Sequence, residues 1–304
     1  MTRSVLVTLG LTLALAAPSS RAEELVIGVY LPQAPFATNT ERAAWADRLA
    51  ADLTAKAGGA FTARAQVFAR KEDVGAFAGK VDLLVLDGLY AVERGGDVVG
   101  HAGPSPAVAL YAAAGASVGD LAGKDVAIPE SGAGDINFFA NTALGGELAP
   151  EPFFGEIKRT KDAASALGAV KAGSASGAFA PVGHPAAAGL KALAQGGSYP
   201  VAVLVVANKA RVDPVRPALT TALAGGAGGG GGLGAIVPGG GEAFGAARGL
   251  KVSPRVLTSP ALLTGGVDAK PVAPPIRLRT RGAVPPPVVD AGALVRPTLT
   301  EPPL

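Results

Sequence analysis

Short apolar runs alternate with amphipathic stripes along the first two-thirds of this chain, and that alternation limits the fold more than any other feature. Leu25-Val26-Ile27-Gly28-Val29-Tyr30 has the length of a strand and no polar face, as a strand covered on both sides requires. Within the polar loop Gln33 to Asn39, Thr38 stands three residues before Glu41, the spacing of a capping box. Trp45, Leu49 and Leu53 then recur at i, i+4 and i+8, one apolar helical stripe that Gly58-Gly59 ends. Phe61 to Phe68 reads as a second strand and Asp73 to Phe77 as a short helix. Val81-Asp82-Leu83-Leu84-Val85-Leu86 is a third buried strand. Two successive βαβ units predict a parallel sheet with helices on both faces.

A second set of elements begins at Val108 to Ala112, read as a strand crossing into another lobe. Leu121 to Pro129 turns from a helix end into a strand. Helices are expected near Asn137 to Leu144 and over Ala163 to Lys171, and Gly177 to Ala180 is a short strand. Tyr199 to Ala207 is the most apolar run outside the N-terminus and the expected return to the first lobe. Glycine dominates Gly225 to Gly241, by composition a flexible link. Prolines crowd Ser253 to Leu304, which favours extended or polyproline conformation over a compact helical core.

The N-terminus carries the pattern of a cleaved export signal over residues 1–22. Arg3 precedes an apolar stretch from Val5 to Ala17, and Ser20-Arg21-Ala22 is a small-x-small site. The apolar stretch falls short of the ~20 residues a bilayer span needs. Without Arg3 and Arg21 the chain keeps 25 Lys+Arg against 24 Asp+Glu. Near-neutrality, with basic residues apart from aromatics, argues against a nucleic-acid partner. Cysteine is absent and histidine occurs twice. Thiol chemistry is therefore excluded, and neither a metal nor a cofactor is expected.

In an open α/β sheet, ligands bind beyond the carboxyl ends of the strands. Four loops meet that condition: Tyr30 to Asn39, Asp87 to Tyr90, Glu130 to Asp135, and Phe179 to His184. In the third, Ser131-Gly132-Ala133-Gly134 joins a strand to a helix. Small residues there let backbone N–H groups approach an anion, or serve a tight turn alone. Tyr30 and Tyr90 stand at strand exits, where a phenol can stack on a ligand or pack on the next helix. Asp87 can orient a cation or cap the following helix. His184 can contact an anion or sit as a surface loop histidine, and His101 reads as structural. Ser131 lies outside any G-x-S-x-G, and Gly228 to Gly232 lacks the Lys-Ser/Thr of a phosphate-binding loop. Binding rather than catalysis is the expected activity.

Several of these blocks together resemble the phosphate/phosphonate-type substrate-binding proteins of ABC importers. They are Leu25 to Pro32, Lys80-Val81-Asp82-Leu83-Leu84, Asp120-Leu121-Ala122-Gly123-Lys124-Asp125-Val126-Ala127, and the Ala163-to-Gly173 helix before another strand. The likeness runs from Glu23 to Thr221. It implies an α/β, two-lobed type II periplasmic-binding-protein fold with a hinge of two crossing strands. Lobe I would hold residues 23–108 and 200–250, with the glycine-rich link at 225–241 inside that return, and lobe II residues 109–199. A proline-rich extension, 251–304, would follow. It further implies a periplasmic protein that holds a small anion through Tyr30 or Tyr90 and the Ser131-Gly132-Ala133 turn and passes it to an ABC permease. The chain departs from the family at two points. Ser131 is the one hydroxyl of the anion turn, and Ser176-Gly177 stand where the family has an acidic residue. Those departures admit a second reading, an envelope sensor or assembly partner that docks another protein through its proline-rich tail.

Overall fold

The computed structural model describes residues 22–239, save 104, 133 and 147. The export signal, the proline-rich segment and Ala133 of the anion turn lie outside the described residues.

The chain runs β1 (Glu23–Tyr30), α1 (Asn39–Lys56), β2 (Phe61–Val67), α2 (Lys71–Ala76), β3 (Leu83–Leu86), α3 (Gly88–Arg94) and β4 (Asp97–Ala102). It continues with β5 (Ala107–Ala112), β6 (Val126–Pro129), α4 (Asp135–Ala143), α5 (Pro150–Phe153), β7 (Ile157–Thr160), α6 (Ala163–Lys171), β8 (Gly177–Pro181) and β9 (Lys191–Ser198). It closes with β10 (Val203–Val206), α7 (Lys209–Val212), α8 (Arg216–Ala224) and β11 (Ile236–Pro238). Two sheets result, ordered β11-β4-β10-β3-β1-β2 and β7-β6-β8-β5-β9.

The buried runs behave as their composition requires. All of Leu25 to Tyr30 is buried in β1, and Leu83 to Leu86 likewise in β3. On α1, Trp45, Leu49 and Leu53 are fully buried. Thr38 caps that helix by accepting the Glu41 N–H at 3.1 Å. The Glu41 carboxylate reaches back to the Ala37 N–H at 2.8 Å, one residue beyond the usual box.

Neither sheet is purely parallel. β1 pairs parallel with β2 and β3, but β10 lies antiparallel between β3 and β4. The reason is where β10 comes from. Val203 stands opposite Leu86, so the returning chain enters at the carboxyl end of β3. The expected crossing strand, Val108 to Ala112, lies inside the second sheet between β8 and β9. The crossing is made by the connections on either side of it, β4 to β5 and β9 to β10, which touch through Ala102 N–H and Ala202 carbonyl at 2.9 Å. β5 begins opposite the ends of both β8 and β9. Each sheet therefore turns its carboxyl strand ends toward the other.

The glycine-rich stretch, expected as a flexible link, is laid along α1. Gly228 N–H donates to the Asp52 carboxylate at 2.9 Å, and Lys56 reaches the carbonyls of Gly225 and Gly226. Ala227 and Ile236 pair as a short bridge, and both are buried with Leu233. Every residue from Gly228 to Gly232 has φ between 64° and 102°. Only glycine holds that backbone without strain, so the composition encodes a shape rather than slack.

Candidate ligand site between the lobes

Strand register sets the first-lobe groups side by side. Tyr30 ends β1 opposite Leu86, and the Asp87 N–H donates to the Tyr30 carbonyl at 3.0 Å. Asp87 is the N-cap of α3, its Oδ1 accepting the Leu89 N–H at 2.9 Å. Of the two roles open to Asp87, this geometry displays the cap. Tyr90 consequently sits in the first turn of α3 rather than in a loop. Its ring stands edge-on to Tyr30 with centroids 5.6 Å apart, so the two rings pack on each other. Burial, then the Asp87 and Glu130 carboxyls, push the Tyr30 phenol well above its ordinary range.

In the second lobe β6 ends at Pro129, and Ser131, Gly132 and Gly134 lead into α4. Ser131 is buried, and its N–H donates to the Asp135 carboxylate at 3.3 Å. Asp135 also accepts from the Ile136 N–H at 2.8 Å and from Arg159 at 2.7 Å. One backbone donor of the turn and the Arg159 guanidinium are thus already engaged by Asp135. His184 is 3% exposed, which overturns the surface-loop reading. Its Nδ1 accepts the Ala186 N–H at 3.1 Å, leaving the ring proton on Nε2. Burial lowers its pKa against the opposing pull of the Ala34 carbonyl and Asp162, so the ring is neutral at pH 7.

Direct contacts join the lobes. The Tyr30 hydroxyl donates to the Glu130 carbonyl at 2.7 Å, and Ala163 N–H to the Pro32 carbonyl at 2.8 Å. Gln33 Nε2 donates to Ser131 Oγ at 3.1 Å. Arg42 pairs with Asp162 at 3.3 Å, both nearly buried, while Asp162 also caps α6 through Ser165. Lys71 meets Glu130 at 3.4 Å in a more open position. A crevice of about 270 Å³ lies at the margin of this seam, between the heads of α1 and α6, with Asn39, Arg42, Lys161 and Asp162 on its walls.

Among the described residues several buried polar atoms lack a hydrogen-bond partner at or beside the seam. They are Gln33 Oε1, Arg42 Nε, His184 Nε2 and the Tyr199 hydroxyl. Tyr199 belongs to the crossing connection, packs edge-on against Phe138 and has its pKa raised by burial and by Asp87. Gln33, Arg42, Asp162, Arg159 and Tyr199 were not singled out from the sequence. Gln33, Arg42 and Asp162 acquire their positions through contacts with the other lobe, which no local pattern records.

No protein-family model matches the chain, and no curated protein matches it by sequence. Solved structures do match. A binding protein component of an ABC phosphonate transporter from Pseudomonas aeruginosa superposes with a TM-score of 0.55 at 13% identity, over 76% of this chain and 86% of that one. PhnD1 from Prochlorococcus marinus, in complex with methylphosphonate, gives a TM-score of 0.55 at 11% identity, over 75% and 97% of the two chains. The fold is that of the type II periplasmic binding proteins. The alkanesulfonate-binding protein SsuA from Xanthomonas axonopodis pv. citri, bound to MOPS, shares it with a TM-score of 0.50 at 16% identity, over 78% and 97%. The resemblance read in the sequence therefore holds at the level of architecture. Among the described residues no helix is long and apolar enough to cross a membrane.

Proposed function

We propose that this chain is an extracytoplasmic solute-binding protein that captures a small anion between its lobes and delivers it to an ABC importer. The residues proposed to meet the ligand are Tyr30, Asp87, Tyr90, Ser131, Gly132, Ala133, Gly134 and His184, to which Gln33 is added. One observation carries the reading. Among the described residues, Gln33 Oε1, in the loop beyond β1, and the Tyr199 hydroxyl, in the crossing connection, are buried without a hydrogen-bond partner. Such atoms cost about 1–3 kcal/mol each, and native folds tolerate them chiefly where a ligand or ordered water completes the bond. The same groups do not make a catalytic set. Ser131 Oγ meets a carboxamide rather than a base.

Thermal unfolding of the purified protein tests this with phosphate, methylphosphonate, alkanesulfonates and small amines. A true ligand stabilises by mass action, about 2.7 kcal/mol at a hundredfold excess over Kd. A melting temperature that no member of the panel raises contradicts the proposal.

The direct contacts that already close the seam favour a second reading, an envelope sensor or assembly partner with the same fold. In that case the panel is silent and pull-down recovers a partner that is lost on deleting residues 253–304.

A further inference from the structure

His184 is 3% exposed and caps the short turn Pro185–Ala187 between β8 and β9. Its ring is held on both sides. Nδ1 accepts the Ala186 N–H at 3.1 Å. Nε2 is buried and lies toward the Ala34 carbonyl of the first lobe without closing a hydrogen bond to it. Ala187, at the end of the turn, is buried in one cluster with Ala163 and Ala166 of α6. The head of α6 is where the lobes touch, through Ala163 to Pro32 and Asp162 to Arg42. One imidazole therefore caps a turn whose packing supports the seam.

A further proton on this ring has one place to go. Nδ1 takes it, and a donor then faces the Ala186 N–H where an acceptor stood. The cap is lost, and a cation is left with almost no water around it. Asp162 is the carboxylate that acts on the ring, but it is shared with Arg42 and with the cap of α6. Tyr111, on β5 beside the end of β8, stays neutral because burial raises its phenol. Lys161 and Lys191 on the adjoining elements are exposed. Burial outweighs Asp162, so the ring titrates below its ordinary 6.5 while the seam is closed.

We propose that His184 is an acid-sensitive latch that holds the two lobes closed when neutral and lets them part about the crossing connections when protonated. Release of a bound solute in acid follows from it and rests on the solute-binding reading above, whereas the parting itself needs no solute. An open seam returns water to the ring and restores its ordinary affinity for the proton. Closure is therefore fully supported above about pH 6.5 and declines below it, the open-to-closed ratio rising at most about tenfold per pH unit.

The chain has no cysteine. Thr62→Cys on β2 and Lys171→Cys on α6, both at exposed positions, thus take one spin label in each lobe. Electron–electron distance measurements without solute at about pH 7.5 and about pH 5 read the separation. The expected result is a shift to longer distances at the lower pH, with the far-UV circular dichroism unchanged. His184→Asn keeps an acceptor for the Ala186 N–H and takes no proton, so its distances stay the same at both. If that variant does not fold at the higher pH, His184→Gln, also neutral throughout, replaces it. An unchanged distance in the parent overturns the inference, as does equal lengthening in the variant. Loss of the dichroism signal before the distance changes overturns it too. Each of these leaves the solute-binding reading standing, since the solute panel tests that separately.

Discussion

Tyr30 joins the lobes through a single hydroxyl, and removing that oxygen isolates its contribution. In Tyr30→Phe the ring still packs on Tyr90, but the Glu130 carbonyl loses its donor at 2.7 Å. A loss of about 1–3 kcal/mol is expected, read as a lower urea midpoint. His184 supplies a pH dependence of definite sign. Its folded pKa lies below the ordinary 6.5. As pH falls below 6.5 the unfolded chain takes up the proton first, so stability declines through that window and is fully present above it. His184→Asn keeps an acceptor for the Ala186 N–H and removes the titration. Its melting temperature should fall less than that of the wild type between about pH 7.5 and about pH 5. An equal fall would assign the acid sensitivity to other groups.

The elements best read from sequence are those whose signal is local. The apolar stripe of Trp45, Leu49 and Leu53 marks α1, and the Ala163 to Lys171 helix has the limits its pattern suggests. Leu49→Ala, which empties part of that stripe, should cost about 2–5 kcal/mol in unfolding. β9, Lys-Ala-Leu-Ala-Gln-Gly-Gly-Ser, carries neither clean alternation nor β-branched residues and stands as a strand because β5 pairs with it. β4 and β11 likewise owe their strand character to partners distant in sequence. The head of α6 is held by Asp162, which caps Ser165 and pairs with the buried Arg42. Asp162→Asn retains a capping oxygen and leaves Arg42 unpaired, a change expected to cost about 3 kcal/mol. A double-mutant cycle with Arg42→Met measures the coupling, and a value near zero would remove this pair from the account of closure.

At the scale of the whole molecule, two sheets, their mutual orientation and the site form one consequence of topology. Because β10 returns at the carboxyl end of β3 and β5 begins beside the ends of β8 and β9, the strand exits of both lobes converge. That convergence made Tyr30, Asp87, Ser131 and His184 visible in the sequence as strand-exit residues. It could not reveal Gln33 or Asp162, whose partners lie 98 and 120 residues away. Closure also depends on α3 lying tight against the crossing connection, where a Cβ on Gly88 would collide with the Pro200 carbonyl. Gly88→Ala should therefore destabilise the protein and weaken solute binding together, seen in paired melting and titration experiments. The central claim, that a small anion is held between the lobes, is tested most directly by mapping backbone amide shifts while methylphosphonate is titrated into the protein. Perturbations concentrated at residues 30–37, 87–90 and 130–135 are the expected result. Shifts confined to other surfaces, or none at saturating concentration, would contradict it.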